Sequence, residues 1–329
     1  MAGITDSPYR QIARRYGAGL LYTECISAEG LRRLGKGSFD LCRFDPFERP
    51  IALQLFGSTV ESIAEAAAIA SERYSPDMID INCGCPVKKF VTKGCGGALM
   101  QFPDLIGRIV EAVKASSGLP VSVKLRNGYH LPDEVAPRAA RIAKEAGASL
   151  VAIHARYVRK AKGTAADWEV IRRVKEAVPD LPVIGNGDVV SYEDAGEMMK
   201  RTGCDRVMIA RWAEGRPWLF EPLKNGDFSA KNPAEPLIPV KIDLILEQLK
   251  LMVEFYGERT AVFRMRKQLG WYSHGWPGGS KLRGDLMKIA SAEEVVVKLR
   301  AFESSLDPDY LSGLKQVESN NRIVFAEEG

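Results

Sequence analysis

The sequence has 329 residues, of which 46% are hydrophobic and 27% charged, and its formal net charge is +4. This length suggests one large and one small domain, with enough apolar residues for a well-filled core. No apolar run approaches the ~18 residues of a membrane span, no secretory signal opens the chain, and the six cysteines do not form a dense disulfide pattern, so we expect a cytoplasmic protein.

Short apolar strands alternate with amphipathic helices as far as Phe220. Strands rich in Val and Ile, each followed by a helix, predict βα units around a parallel sheet. The predicted strands are Gly19–Tyr22, Ile51–Leu55, Met78–Asn82, Val121–Leu125, Leu150–His154, Val183–Gly185 and Arg206–Ile209. The helices predicted between them are Val60–Tyr74, Leu105–Ser117, Glu134–Ala146, Trp168–Val178 and Tyr192–Arg201.

A closed βα barrel has eight strands, one more than the pattern contains. Residues Met1–Thr5 resemble the end of a strand that runs into a helix over Pro8–Tyr16. We therefore expect a TIM (β/α)8 barrel whose first strand is truncated in this chain. A seven-stranded open sheet is the alternative, but it would leave a parallel edge exposed.

The pattern changes after the barrel. Residues 224–239 are polar with three prolines, and helical patterns follow over Val240–Tyr256, Thr260–Tyr272 and Gly284–Ser305. These patterns predict a small all-helical domain. We expect a barrel domain over residues 1–228, a linker over 229–240, a helical domain over 241–306 and a loosely ordered tail over 307–329.

The active site of a TIM barrel lies at the carboxyl ends of its strands. Polar and ionisable residues follow the predicted strands: Asn82 with Cys85, Lys124 with Arg126, His154, Asn186-Gly187-Asp188, and Ala210-Arg211. A glycine-bearing turn followed by Arg211 in the next loop favours a phosphate site over a plain turn. Lys124 at the barrel mouth favours contact with a ligand over a surface role, and the position of His154 in the same ring favours a ligand over a structural histidine.

Cys85 lies in a Gly-Cys-Pro turn just past a strand. A thiol on an exposed active-site loop can act as a general acid. Two alternatives are a buried structural cysteine and a metal site shared with Cys83 and Cys95. The C-x-C spacing is poor for a metal knuckle and no fourth ligand is evident, so we predict no metal.

The segment from Arg259 to Lys288 has seven basic residues and a single acid, with Trp271, Tyr272 and Trp276 interleaved. Basic groups with aromatics suit a phosphate backbone and stacked bases. The alternative is a solvated helical face whose aromatics turn into the core. Further basic residues are predicted on the catalytic rim of the barrel: Lys88, Lys89, Lys93, Arg156, Arg159, Lys160 and Lys162.

Together these segments resemble the tRNA-dihydrouridine synthase family over about the first 300 residues. The most specific match is Asn82-x-Gly84-Cys85-Pro86. The others are Met1–Asp6, Gln54, Gly96-Gly97-Ala98, Lys124-x-Arg126-x-Gly128, Ile153-His154, Asn186-Gly187-Asp188, Arg211, Gly215-x-Pro217-Trp218, Arg264-x-Arg266-Lys267 and Trp271-Tyr272.

The resemblance implies an FMN cofactor at the barrel mouth, NADPH as its reductant, and uridine in tRNA as the substrate. It implies that Cys85 protonates C5 of uracil while flavin N5 delivers hydride to C6, and that the uridine leaves its stack. The cofactor contacts would come from Met1, Ala2, Gln54, Lys124, His154, Asn186, Gly187, Asp188, Ala210 and Arg211. The substrate contacts would come from Asn82, Arg126, Arg264, Arg266 and Lys267.

We expect a monomer. Two departures from the family pattern are Ala210 in place of a usual glycine and Gln268 in place of a common histidine. One competing hypothesis is a small-molecule FMN oxidoreductase similar to dihydroorotate dehydrogenase, which leaves the basic helical domain unexplained. The other is a tRNA-binding protein without catalysis.

Overall fold

The computed structural model describes residues 1–159, 164–224, 226, 228 and 235–312. Within these residues, eight strands form one parallel sheet. The strands are β1 (Leu21–Tyr22), β2 (Ile26–Ser27), β3 (Ile51–Phe56), β4 (Met78–Asn82), β5 (Val121–Arg126), β6 (Leu150–His154), β7 (Val183–Asn186) and β8 (Arg206–Met208).

The helices that accompany the sheet are α1 (Ser7–Arg15), α2 (Ala28–Arg32), α3 (Lys36–Cys42), α4 (Val60–Tyr74), α5 (Lys88–Val91), α6 (Pro103–Ser117), α7 (Ala136–Glu145), α8 (Glu169–Ala177), α9 (Tyr192–Thr202) and α10 (Phe220–Lys224). The helices that follow them are α11 (Ile238–Tyr256), α12 (Glu258–Tyr272), α13 (Gly279–Leu286), α14 (Ala292–Ser304) and α15 (Pro308–Ser312). Short 3-10 turns lie at Pro46–Glu48, Gly96–Gln101, Arg211–Ala213 and Pro217–Leu219.

The strand order confirms the predicted TIM-like α/β fold. The sheet runs β1-β3-β4-β5-β6-β7-β8, and β2 pairs with β3 beyond β1. Leu21 is in register with Ile51 and Ile26 with Leu55, so β1 and β2 are two parts of one edge path along β3. No ladder joins β8 to β1 among the described residues, and residues Met1–Thr5 form a turn in which Ile4 and Thr5 donate to the Met1 carbonyl.

Hydrophobic periodicity explains how well the barrel elements were predicted. β4, β6 and α4 have the predicted bounds, and α4 buries Ile63, Ala66, Ala67 and Ala70 on one face. A stripe at this spacing is what an amphipathic helix presents to a sheet. β2 was missed because two residues are too short for a strand pattern.

The predicted all-helical architecture after residue 237 is also observed, with corrections at its end. The single helix predicted over Gly284–Ser305 is wrong: α13 ends at Leu286 and α14 begins at Ala292, with Ser291 as its N-cap. The predicted tail contains the short helix α15, and residues 313–329 lie outside the description. The first half of the predicted linker over 229–240 lies outside it too, and its last three residues belong to α11.

The helical domain packs against the barrel domain through α1, the N-terminal turn and the loop at Gly215. Tyr256 Oη donates to Asp6 Oδ2 at 3.1 Å, and Gln268 Nε2 donates to the Ile4 carbonyl at 3.3 Å. Gly215 has φ of +67°, and a Cβ there would lie 2.7 Å from Trp271 Cβ. The close approach therefore requires glycine. Among the described residues, no helix is long and apolar enough to cross a membrane.

A buried ion pair joins α1 to the 3-10 turn at Pro46–Glu48, and its contribution to stability can be tested. Arg10 Nε donates to Glu48 Oε2 at 2.5 Å, and the two side chains are 3% and 0% exposed. Arg10→Met would leave the Glu48 carboxylate buried without its counter-charge. We expect the free energy of unfolding to fall by about 3–5 kcal/mol, measured by urea denaturation.

Arg15→Met is the matched control, because Arg15 lies on the same helix and pairs with Glu247 at the surface, where the side chains are 47% and 38% exposed. We expect this control to lose less than about 1 kcal/mol. Equal losses in the two variants would contradict the structural role given to the buried pair.

Candidate functional site

The carboxyl ends of β3 to β7 bring five of the predicted site residues to one rim. The strand registers place Asn82 beside Lys124, and His154 beside Asn186. Gln54 on β3 accepts a hydrogen bond at Oε1 from Asn82 Nδ2 at 2.8 Å. Since all these strands are parallel, the ring of polar side chains that the sequence predicts does form.

The Cys85 loop is held by the strand that precedes it. Asn82 is buried, and its Oδ1 accepts hydrogen bonds from the backbone N–H of Gly84 at 3.1 Å and of Cys85 at 2.9 Å. The Cys85 carbonyl accepts from Gly97 N at 2.9 Å. Cys85 itself is half-buried, so its thiol is neither enclosed in the core nor fully exposed. This position is suitable for a group that must meet a substrate in a fixed geometry.

Three polar residues beneath this loop were not predicted from the sequence. Asp80 on β4 accepts hydrogen bonds from Ser122 Oγ at 2.6 Å and from Gln54 Nε2 at 2.7 Å. Cys25, between β1 and β2, donates to Gln54 Oε1 at 2.8 Å. The sequence contained a partial signal for Asp80, because Asp80 and Asn82 are two positions apart in a strand and their side chains therefore face the same side.

Lys124 lies at the centre of the rim. Its Nζ donates to Asn186 Oδ1 at 3.3 Å, and Asn186 Nδ2 donates to the Met208 carbonyl at 2.8 Å. Burial, followed by the positive charge of Arg126, lowers the pKa of Lys124 to about 7, although Asp80 acts in the opposite direction. An amine in this environment is a candidate to contact an anionic or electron-rich ligand.

Arg126 holds two loops together. It is buried, its Nε donates to the Gly84 carbonyl at 2.8 Å, and its Nη1 donates to the Tyr157 carbonyl at 3.2 Å. Burial, followed by the charge of Arg156, lowers its pKa to about 10. The predicted contact of Arg126 with a substrate base therefore stays a prediction, while its contacts in the structure support the Cys85 loop.

The predicted phosphate turn is built around an ion pair. Arg156 Nη2 donates to Asp188 Oδ2 at 2.5 Å, and Ala166 N donates to the same oxygen at 2.7 Å. Gly187 has φ of +127°, and a Cβ there would lie 2.9 Å from Ala166 Cβ. Arg211 Nη2 lies 3.7 Å from Asp188 Oδ1. The Asp188 carboxylate is thus occupied by protein donors, and the arginines supply the positive charge beside the turn.

His154 is neutral in this environment. Burial, followed by the charges of Arg126, Lys124 and Arg156, lowers the pKa of His154 well below its usual range. Arg156 Nη1 lies 3.2 Å from His154 Nε2. A guanidinium only donates, so Nε2 accepts and the imidazole proton belongs on Nδ1. His154 therefore has a neutral N–H to offer a ligand.

The three remaining predicted cofactor residues are Met1, Ala2 and Ala210. The Met1 amino group donates to Thr5 Oγ1 at 2.7 Å, and Ala2 is exposed. Ala210 follows β8, and its carbonyl accepts from Ala213 N at 3.0 Å. Their contact with a cofactor stays a prediction.

The basic residues of α12 differ in how free they are to bind a partner. Lys267 is exposed, with Nζ 5.2 Å from the Trp271 ring centroid. Arg264 donates to Tyr256 Oη at 3.3 Å, and Arg266 donates to the Ile289 carbonyl at 2.9 Å. Two of the three predicted tRNA contacts thus also hold the helical domain together.

Two of the three interleaved aromatic residues turn into the core, as the alternative interpretation of the basic segment predicts. Tyr272 and Trp276 are 2% and 5% exposed, so these two rings belong to the core and cannot stack on bases.

Exposed basic residues are nevertheless present near the Cys85 loop and on the helical domain: Lys88, Lys89, Lys93, Arg159, Arg259, Lys281 and Lys288. Lys160 and Lys162 lie outside the described residues. Within the described part of the chain, no three His, Cys, Asp or Glu side chains are grouped as metal ligands would be.

Comparison with known proteins identifies relatives of nearly the same length. The family described as "Dihydrouridine synthase (Dus)" matches residues 1–307. A "Probable tRNA-dihydrouridine synthase" of Rickettsia bellii is 35% identical over 307 residues, covering 93% of this chain and 94% of that protein. A protein with the same description from Rhizobium leguminosarum bv. phaseoli is 39% identical over 272 residues, covering 83% of each chain.

One solved structure supports the fold alone. A complex of 2-naphthoyl-CoA reductase with 2-naphthoyl-CoA superposes with a TM-score of 0.53 at 11% identity, covering 68% of this chain and 47% of the other.

The environment of Lys124 gives a test that needs no ligand. With a pKa of about 7, its amine is largely neutral at pH 8, so acetic anhydride should acylate it with a half-maximal rate near pH 7. The control is Nα-acetyl-lysine amide, an unburied amine whose pKa is about 10.4. Peptide mass spectrometry at each pH measures both rates. If the rate for Lys124 were half-maximal at the same pH as the rate for the control, burial and neighbouring charge would not lower the pKa of Lys124.

Proposed function

The chain belongs to the dihydrouridine synthase family, and from this membership we propose that it reduces uridine in tRNA to 5,6-dihydrouridine. The match to residues 1–307 together with a half-buried thiol held beside a ring of polar strand ends carries the proposal. Relatives described as tRNA-dihydrouridine synthases supply the substrate class. Nucleoside analysis of tRNA from cells with and without the protein tests it directly.

FMN is the cofactor that we propose for the rim. The positive charges of Arg156 and Arg211 beside the turn suit a phosphate, and the Gly187 turn leaves no room for a side chain. Gln54, His154 and Asn186 would present polar atoms to the ring and ribityl groups. When bound, FMN supplies a hydride for C6 of uracil and takes its electrons from NADPH.

Cys85 is the proposed proton donor. Asn82 and Gly97 hold its backbone on both sides, so the Cα of Cys85 has a fixed position relative to the rim. A thiol in a fixed position can pass its proton to a carbon that receives charge, here C5 of uracil. The target uridine must leave its stack to reach this depth.

The tRNA contacts are proposed on the exposed basic residues that flank the site. Lys88, Lys89 and Lys93 follow Cys85 directly, and Lys267 lies on α12 of the helical domain. Lysines in such positions neutralise backbone phosphates without reading sequence. A small-molecule oxidoreductase would not need them, and reduction of orotate-type substrates by the pure protein would favour that alternative. We further propose a monomer in the cytoplasm, where six free thiols are expected to stay reduced.

The role of Cys85 predicts a separation of cofactor binding from turnover. Cys85→Ala should bind FMN as the parent does and should lose at least about 100-fold in dihydrouridine formation, since a positioned general acid contributes about 10²–10⁴-fold. Flavin absorbance and nucleoside analysis measure the two properties. Cys42→Ala is the control, because Cys42 is buried at the end of α3 and should leave turnover unchanged. Full activity in Cys85→Ala would remove Cys85 from the mechanism.

The exposed basic residues of α12 predict how affinity for tRNA depends on charge and salt. Lys267 and Arg259 are exposed, so Lys267→Gln with Arg259→Gln removes charge without breaking a described hydrogen bond. We expect affinity for tRNA to fall roughly tenfold and the slope of log affinity against log salt to become shallower by about 0.7–0.9 per lost phosphate contact. Filter binding at several salt concentrations measures both.

The control removes the same charge from the outer face of the barrel. Arg138→Gln with Lys144→Gln changes α7, where both residues form surface ion pairs with Asp104 and Asp180. Its affinity and slope should match those of the parent. If both pairs of substitutions had the same effect, net charge rather than the helical domain would explain binding.

A further inference from the structure

A set of hydrogen bonds runs from the middle of the barrel to the Cys85 loop. It begins at Asp80 on β4, which is fully buried, and passes through Gln54 on β3 and Asn82 at the end of β4. In each link a carboxamide N–H donates to an oxygen, which belongs to the Asp80 carboxylate in the first link and to the Gln54 carboxamide in the second. The order of donors and acceptors along this path carries information about which way each carboxamide points.

The lower end of the path has a fixed polarity. Burial raises the pKa of Asp80 to about 6, so the carboxyl group is ionised at neutral pH and only accepts hydrogen bonds. Ser122 Oγ donates to Asp80 Oδ1 at 2.6 Å, and Gln54 Nε2 donates to Asp80 Oδ2 at 2.7 Å. Gln54 must therefore direct its Nε2 towards Asp80, and its Oε1 must point away.

The upper end has a fixed polarity of its own. The backbone N–H groups of Gly84 and Cys85 only donate, so Asn82 must present Oδ1 to them. Asn82 Nδ2 then faces Gln54 Oε1 at 2.8 Å and Cys25 Sγ at 3.0 Å. The two ends demand the same orientation of both carboxamides, so no link of the path joins two donors or two acceptors.

We propose that Asp80 is a positioning residue that sets the Cys85 loop through the carboxamides of Gln54 and Asn82. Its relevance to catalysis depends on the proposed function, since it places the thiol that would donate the proton. Buried polar paths of this kind are stable only when every member is satisfied. Asp80 touches neither the thiol nor the loop in the described contacts, so its effect must pass through the two carboxamides.

The substitution Asp80→Asn disturbs the order of the path. If the new carboxamide turned its oxygen to Gln54, its nitrogen would donate to Ser122 Oγ, and the Ser122 proton and the second N–H at position 80 would both lack an acceptor. If the new carboxamide turned its nitrogen to Gln54, two donors would meet unless Gln54 and then Asn82 both reversed. A reversed Asn82 would present Nδ2 to the N–H groups of the loop. Both arrangements leave buried donors without acceptors, the first at Ser122 and the second at the loop. The two therefore compete, and the second populates an open loop that the Asp80 carboxylate excludes.

The test measures the reactivity of Cys85, and it uses neither flavin nor tRNA. Asp80→Asn should increase the rate at which iodoacetamide alkylates Cys85 about tenfold at pH 7.5, because a loop that loses a buried hydrogen bond opens more often. Fragmentation of the peptide in a mass spectrometer distinguishes Cys85 from the buried Cys83. The thermal unfolding midpoint is recorded for every variant.

A charge-relocating double variant separates positioning from general stability. In Asp80→Asn with Gln54→Glu, the new carboxylate at position 54 accepts from Asn82 and from the new carboxamide at position 80, whose oxygen can still accept from Ser122. The path regains its order, so the alkylation rate should return to within about twofold of the parent. Thr202→Val is the control. It removes a buried hydroxyl of α9 that donates to the Met198 carbonyl and has no bond to the path, and its rate should stay close to that of the parent.

Turnover adds a second readout in protein that is reduced beforehand. Asp80→Asn should slow reduction of tRNA uridine about 10–100-fold, the scale expected when a reacting group is displaced by about 1 Å. An unchanged alkylation rate in Asp80→Asn, or a double variant no better than the single one, would overturn the proposal. If Asp80→Asn does not fold, the double variant must fold with parental reactivity, and its failure would overturn the proposal equally. Absence of dihydrouridine formation in the parent would count against the proposed function and leave the alkylation result to decide the role of Asp80.

Discussion

The carboxamide of Asn82 joins the rigid sheet to the loop that carries the Cys85 thiol. Its oxygen accepts two backbone N–H groups of that loop, and its nitrogen is fixed by Gln54 one strand away. A residue at the end of a buried strand has little conformational freedom, so the loop that it binds is held in a fixed position relative to the barrel. Loops between strand and helix are ordinarily the most variable part of such a fold, and here one of them is fixed by the side chain beneath it.

Positive charge dominates the rest of the rim. Lys124, Arg126 and Arg156 lie close enough for each to lower the pKa of His154, while Asp188 pairs with Arg156 and the buried Asp80 raises the pKa of Lys124. Such an arrangement costs stability in the absence of an anion, because like charges in a poorly solvated space repel. A bound phosphate or an electron-rich ring would relieve that cost. The same charges keep His154 neutral, which makes it a hydrogen-bond donor and not a second cation.

The sequence was sufficient for most of the barrel and for part of the site. β4 and β6 were predicted to the residue, because a buried parallel strand is a continuous apolar run that ends in polar residues. Asn82, Lys124 and His154 could be assigned to one rim because the carboxyl ends of parallel strands share an edge. The connection from Ser122 to Asp80 could not be found in this way, since it depends on register between two strands, and register is a property of the assembled sheet.

The helical domain shows why charge counts predict function less well than strand ends do. Its basic segment looks uniform in the sequence, but the structure divides it: Lys267 is exposed at the surface, while Arg264 and Arg266 bond to Tyr256 and to a backbone carbonyl. Tyr256 in turn bonds to Asp6, next to the N-terminal turn that borders the rim. Under the proposed function, an arginine of α12 that contacts tRNA would be linked through Tyr256 to Asp6 beside the N-terminal turn. The position of the helical domain would then limit which uridine can reach Cys85.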